Sequence, residues 1–130
     1  MAETIAHLIE HEVTSWPGVT VEPHRFGGVE FKVGRRELGH LHGSRLADLP
    51  FPVKIREQLV AAGKAQPHHV MPDSGWISFY IHDANDATAA IALFRLNYDR
   101  AWLAEHDRAT PTMSTGSPTL LARRDPRIDR

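Results

Sequence analysis

The sequence predicts one α+β domain, with an antiparallel sheet of four to five strands and about three helices packed mainly on one face. Three observations carry this. Apolar residues recur at helical spacing near the start, in the middle and towards the end of the chain. After the first helical stretch, runs of alternating apolar and polar residues are separated by glycines, as in a meander of strands. The resulting order, helix, three strands, helix, one or two strands, helix, favours an antiparallel sheet with segregated helices. A chain of 130 residues, 42% of them apolar, is long enough for one core and too short for two.

Thr4 is a candidate N-cap for a helix in which Ile5, Leu8, Ile9, Val13 and Trp16 form one stripe, and Pro17-Gly18 ends it. Val19, Val21 and Pro23 then alternate with Thr20 and Glu22. Val29, Phe31 and Val33 alternate with Glu30 and Lys32, so two antiparallel strands joined through Gly27-Gly28 are expected. Gly34-Arg35-Arg36 signals a turn, and residues 37–42 form a third strand with Leu38, His40 and His42 on one face. Residues 43–53 mix Gly, Ser, Asp and two prolines and read as a loop pinned by Leu46, Leu49 and Phe51. Pro52 suits the first turn of a short helix lined by Ile55, Leu59 and Ala62, with Gly63 at its left-handed end.

His68-His69-Val70-Met71 is expected as a short strand, residues 72–75 as a turn, and Trp76 to Ile81 as a central strand, from its aromatic and β-branched content. From Asp86 to about Trp102, Ala87, Ile91, Phe94, Tyr98 and Trp102 make a helical stripe that should pack across the sheet. The domain is thus expected over residues 1–105. Residues 106–130, rich in Thr, Ser and Pro and then in alternating Arg and Asp, are expected as a disordered or loosely docked tail.

The formal charge of -1 provides no net field to draw in nucleic acid or an anionic membrane, so neither is expected as a partner; a small-molecule ligand is. Cysteine is absent, which excludes disulfides, thiolate chemistry and cysteine-held metals together, and any metal must sit on His, Asp or Glu. No basic stretch followed by an apolar run opens the sequence, and a cytoplasmic location is the expectation. Oligomeric state is left open.

Nine histidines are a high load for this length. His7, His11, His24, His82 and His106 fall on faces or ends expected to be solvated. His40 and His42 differ, because residues two apart in a strand project the same way, with side chains roughly 6 to 7 Å apart. A third group is needed, and His68 or His69 is the nearest candidate, with Gln66 and Glu37 as further partners. Three imidazoles would suit zinc, iron, copper or nickel with one position open; two histidines with a carboxylate would also serve. A metal-free pocket with one imidazole as general base, or a purely structural pair, fits the same spacing. Trp76, Ser78 and Tyr80 share the second face of their strand, where they either line a cavity that stacks a flat ring or simply cover the sheet. Gly27-Gly28 lacks the context of a phosphate loop, and no hydrolase or dehydrogenase motif occurs.

Arg36-Glu37-Leu38-Gly39-His40-Leu41-His42, then Gln66-Pro67-His68, then Trp76-Ile77-Ser78-Phe79-Tyr80 and an amphipathic helix resemble, in this order, the motifs of the luciferase domain of fungal luciferases and many short bacterial proteins. The resemblance spans roughly residues 19 to 102. It implies a catalytic centre of His40, His42 and His68, and a substrate surface of Glu37, Gln66, Trp76 and Tyr80, with the two aromatics as a ring-stacking wall. It implies no required cofactor; a His-bound divalent metal, if present, would fall on His40, His42 and His68.

Fungal luciferases oxidise a hydroxylated styryl-pyrone with molecular oxygen. The hydrophobic N-terminal segment of those enzymes has no counterpart in this sequence. The expectation is therefore small-molecule binding with cofactor-independent oxygenase or acid–base activity on an enolic or phenolic substrate, without light emission. The alternative is a non-catalytic ligand-sensing or protein- or DNA-interaction module. Its topology would be similar to proteins of the YjbR type, and Arg35-Arg36 and Arg123-Arg124 are its support.

Overall fold

The computed structural model describes residues 4–24 and 27–109, with side chains to residue 104. In chain order the elements are α1 (Ile5–Thr14), β1 (Val19–Pro23), β2 (Val29–Val33), β3 (Arg36–His42), β4 (Leu46–Pro50), α2 (Val53–Ala61), β5 (Gln66–Pro67), β6 (Trp76–Tyr80) and α3 (Ala84–Ala109). The protein is α+β, as expected. The sheet has six strands rather than four to five, in the order β1-β2-β3-β4-β6-β5, and every neighbouring pair is antiparallel.

Both departures from the expected strands have local causes. Residues 46–50, expected as part of a loop, are β4, paired on both sides. The turn residues that suggested a loop flank the strand: the turn is confined to 43–45, and Pro50 closes the ladder opposite Trp76. Conversely, His68–Met71 is a loop. The backbone N–H groups of Val70 and Met71 donate to His68 Nδ1, at 3.0 and 3.1 Å, and so are directed to a side chain in place of a ladder. In this part of the chain the strand paired with β6 is Gln66–Pro67.

Helix ends follow the residues that mark them. The Thr4 hydroxyl accepts from the His7 N–H at 3.1 Å, which caps α1. Helix α2 ends on Gly63 with φ of 76°, which lets the Lys64 N–H return to the Leu59 carbonyl at 2.9 Å and the Gly63 N–H to that of Val60 at 3.0 Å. Helix α3 continues to Ala109, past the Trp102 at which the apolar stripe stops, and residues 110–130 of the expected tail lie outside the described residues. Among the described residues no helix is long and apolar enough to cross a membrane.

The core lies between the sheet and the α1–α3 pair. Ile9, Val13 and Trp16 of the α1 region are buried, whereas Leu8, expected on the same stripe, is exposed. Helix α3 crosses β2, β3 and β4, and Phe94 meets Phe31 edge to face, with centroids 5.2 Å apart. Gly39 is required beneath it. A Cβ there would come within 2.9 Å of both Leu49 and Phe94 and 2.7 Å of the Asp48 carbonyl, at a φ of +150° that side chains rarely adopt. The buried Asn97 amide donates to the carbonyls of Leu38 and Pro50, 3.0 Å each, and ties α3 to β3 and β4.

Phe31, Leu41, Leu49 and Ile77 are buried on the helix side of the sheet. The pairing register sets a different row across the other side: Glu30 opposite His40, His40 opposite Asp48, Asp48 opposite Ser78, and Ser78 opposite Gln66. Partners in an antiparallel pair project from the same face, so five strands contribute to one polar line.

Candidate functional site

The centre of that line is Asp48, whose side chain is 1% exposed. Its Oδ1 accepts from the Ser78 hydroxyl at 2.7 Å, and the Ser78 oxygen accepts in turn from the His69 N–H at 3.3 Å. Around Oδ2 stand four imidazole Nε2 atoms, those of His42, His69, His40 and His68, at 3.2, 3.3, 3.4 and 3.5 Å. Strand β3 supplies His40 and His42, β4 the aspartate, β6 the serine, and the loop after β5 the last two rings. A fifth ring, His24 at the end of β1, stacks on His40 with centroids 4.2 Å apart. Trp76 closes one side, 5.3 Å from His40 and 5.9 Å from His68. His40 and His68 are mostly covered, whereas His42 and His69 reach solvent, with side chains 30% and 39% exposed.

The protonation pattern follows from the partners. His40 donates its Nδ1–H to Glu37 at 2.9 Å. Burial works against charge on this ring, but the bonds to Asp48 and Glu37 outweigh it and raise its pKa to about 9. Burial likewise opposes charge on Asp48, yet its bonds from His40, Ser78 and His69 hold the carboxyl well below the usual carboxylate range. His42 is pushed below the usual imidazole value by burial and then by the charge on His40; His68 is pushed down chiefly by burial. In His68 the two backbone donors at Nδ1 place the ring proton on Nε2, facing Asp48.

These shifts fix a pH dependence for metal-stripped protein. A raised His40 contributes stability that is complete below about pH 6.5 and lost as pH rises through about 9, on the order of 3 kcal/mol. The lowered His42, His68 and Asp48 act on the other side, since each favours the deprotonated folded form and loses that advantage as pH falls. Urea melts should therefore show maximal stability near pH 6.5 and a fall between about pH 6.5 and 9, and Glu37→Gln should make that fall smaller and end it at lower pH.

Of the residues singled out from sequence, His40, His42, His68, Glu37 and Trp76 come together here. Gln66 and Tyr80 do not join the rings. Gln66 is exposed on the edge strand, and Tyr80 is 39% exposed at the far end of β6, across from Leu46, so of the two aromatics expected as a ring-stacking wall Trp76 is the one beside the histidines. Three members were not anticipated. Asp48 lies in a stretch that reads as loop from its composition, His24 reads as a surface residue, and His69 is only an alternative to His68. The signal for Asp48 was a lone acid in the otherwise apolar run Leu46-Ala47-Asp48-Leu49-Pro50. Separately, a concavity of about 240 Å³ lies at Arg36, Glu37, Phe51, Asn97 and Arg100; it shares Glu37 with the cluster but none of its histidines.

Comparison with known families bears on this geometry directly: the model of the luciferase domain matches residues 35–97. Residues 35–97 are similar to the luciferase domain. The matched segment of that domain opens at β3 and closes at Asn97, so it holds Glu37, four of the five clustered histidines, Asp48, Ser78 and Trp76, and leaves out His24 with the β1–β2 hairpin. No curated protein and no solved structure matches the chain. Among the described residues two groups have donor atoms close enough for a metal ion, His40 with His42 and Asp48, and Asp48 with His68 and His69, each with all donors within 4.8 Å of one another.

Proposed function

We propose that this protein is a small-molecule enzyme that binds an enolic or phenolic substrate against its histidine face and ionises the substrate hydroxyl. The observation that carries the reading is the convergence of four imidazoles on one buried carboxylate beside Trp76, on the sheet face opposite α3. A flat ring lies against Trp76 and the accessible edges of His42 and His69. His69, backed by Asp48, takes the hydroxyl proton, and the carboxylate stabilises the imidazolium that forms. The substrate oxyanion is left facing the positive centre that His40 provides in metal-free protein. Enolates and phenolates are electron-rich at carbon, and addition of molecular oxygen there is the step we assign to follow.

The test is a panel of hydroxypyrones and phenols, read by ligand-observed NMR for binding and by oxygen consumption for turnover. Binding is expected in wild type and lost in Trp76→Ala. His69→Ala is expected to bind but to turn over about a hundredfold more slowly or worse. A folded wild type that binds no member of the panel, or binding unchanged in both Trp76→Ala and His40→Ala, would overturn the reading.

A further inference from the structure

We propose that His40, His42 and Asp48 bind one divalent first-row transition-metal ion, with His68 and Ser78 holding the carboxylate from outside the coordination shell. The binding stands on its own geometry; only its use in catalysis rests on the small-molecule reading above.

The first ground is placement. The three donor atoms lie within 4.8 Å of one another on adjacent paired strands, with His40 directly opposite Asp48. Two imidazoles and a carboxylate on one face form a ligand set suited to iron(II), manganese(II), cobalt(II) or zinc, with the remaining positions open to solvent and substrate. Here the open side is that of the exposed His42 and His69 edges.

The second ground is that Oδ2 is oversubscribed. Four ring nitrogens surround one oxygen at 3.2 to 3.5 Å, more than its lone pairs can serve as hydrogen-bond acceptors. Where a nitrogen brings a lone pair in place of a proton, it repels the carboxylate. In metal-free protein the Nε2 proton of His40 faces Asp48; because Glu37 holds the Nδ1–H, displacement of that proton leaves an Nε2 lone pair directed at the same place as Oδ2. A cation between them takes the place of that proton and is held by both atoms. Carboxylate to imidazole to metal is also the outer-shell arrangement that fixes a ligating histidine's tautomer.

The third ground separates ligands from supports. His68 Nδ1 accepts from two backbone N–H groups, so its Nε2 carries the proton and has no lone pair to give. It therefore donates to Asp48 and leaves the shell, which replaces the set of His40, His42 and His68 expected from sequence. With His68 a donor only, the second group reduces to Asp48 and His69. Ser78 occupies Oδ1 and directs Oδ2 towards the β3 imidazoles. His69, outside the shell, keeps its role as base, and the ion takes over from His40 the stabilising of the substrate oxyanion.

The experiment titrates chelator-stripped, untagged full-length protein with cobalt(II) alone, reading visible absorption for the shell and calorimetry for stoichiometry. Wild type is expected to bind one ion per chain. His42→Ala should weaken binding by more than about a hundredfold, whereas His68→Gln, whose amide can still donate to Asp48, should bind one ion within about tenfold of wild type. Circular dichroism checks each fold, and His42→Gln replaces His42→Ala if the latter is unfolded. Loss of binding in His68→Gln equal to that in the His42 variant would overturn the ligand assignment, and a folded wild type that takes up no cobalt at millimolar concentration would overturn the site. Neither result touches the ligand panel run on metal-free protein. A metal-loaded protein that binds no enol or phenol would instead fail the functional reading and leave the metal site standing.

Discussion

Replacing Asp48 by asparagine is expected to leave the chain folded, cost about 2 kcal/mol of stability, and lower cation affinity by at least about a hundredfold. The amide is nearly the same shape, and its oxygen can keep the Ser78 bond. Its NH2 group must then replace Oδ2, where it faces the protonated Nε2 of His68 with two donors opposed at 3.5 Å. The negative charge that holds His40 protonated disappears with the carboxylate, so the alkaline limb of the stability profile should depend on Glu37 alone. Urea melts across pH together with the cobalt titration measure all three effects. A variant that retained cation affinity would remove Asp48 from the centre of the site.

Phe94→Ala is expected to cost more stability than any other single truncation on the helix side of the sheet, about 3 to 5 kcal/mol. The ring is fully buried, stands edge to face against Phe31, and fills the space above Gly39. Its loss leaves a cavity bounded by a glycine, and that boundary cannot collapse inward. Since Gly39 precedes His40, the damage should reach the site, and the melting temperature and the cobalt spectrum should change together. Intact cobalt binding in a strongly destabilised Phe94→Ala would mean that β3 keeps its place without the aromatic pair.

The helices and the first three strands were legible in the sequence because their signals are local: Thr4 as cap, Gly63 as terminator, alternation through Val29 to Val33. Strand β4 was not, since Gly43 and Pro50 punctuate it so closely that five residues of strand resemble the middle of a loop. That single misreading concealed the centre of the site. His40 and His42 could be found from a spacing of two, but the group they surround is set by register across β3 and β4, and periodicity within one strand carries no information about its neighbour. The loop at His68 was unreadable for a related reason: its backbone donors are satisfied by a ring, a pattern that propensity does not encode.

The sheet order bears on when the site forms. Strands β1 to β4 pair with their sequence neighbours, and the pairing of β4 with β6 is the one that spans an intervening helix. Short loops close quickly, and distant pairings wait on the entropy of the chain between them. His40, His42 and Asp48 lie in a single hairpin, within nine residues of one another, while Ser78 lies thirty residues from Asp48. An ion present during refolding thus acts on the earliest piece of sheet to assemble. Refolding with cobalt should accelerate, with β6 and the His68 loop arriving afterwards as a lock on a centre already made.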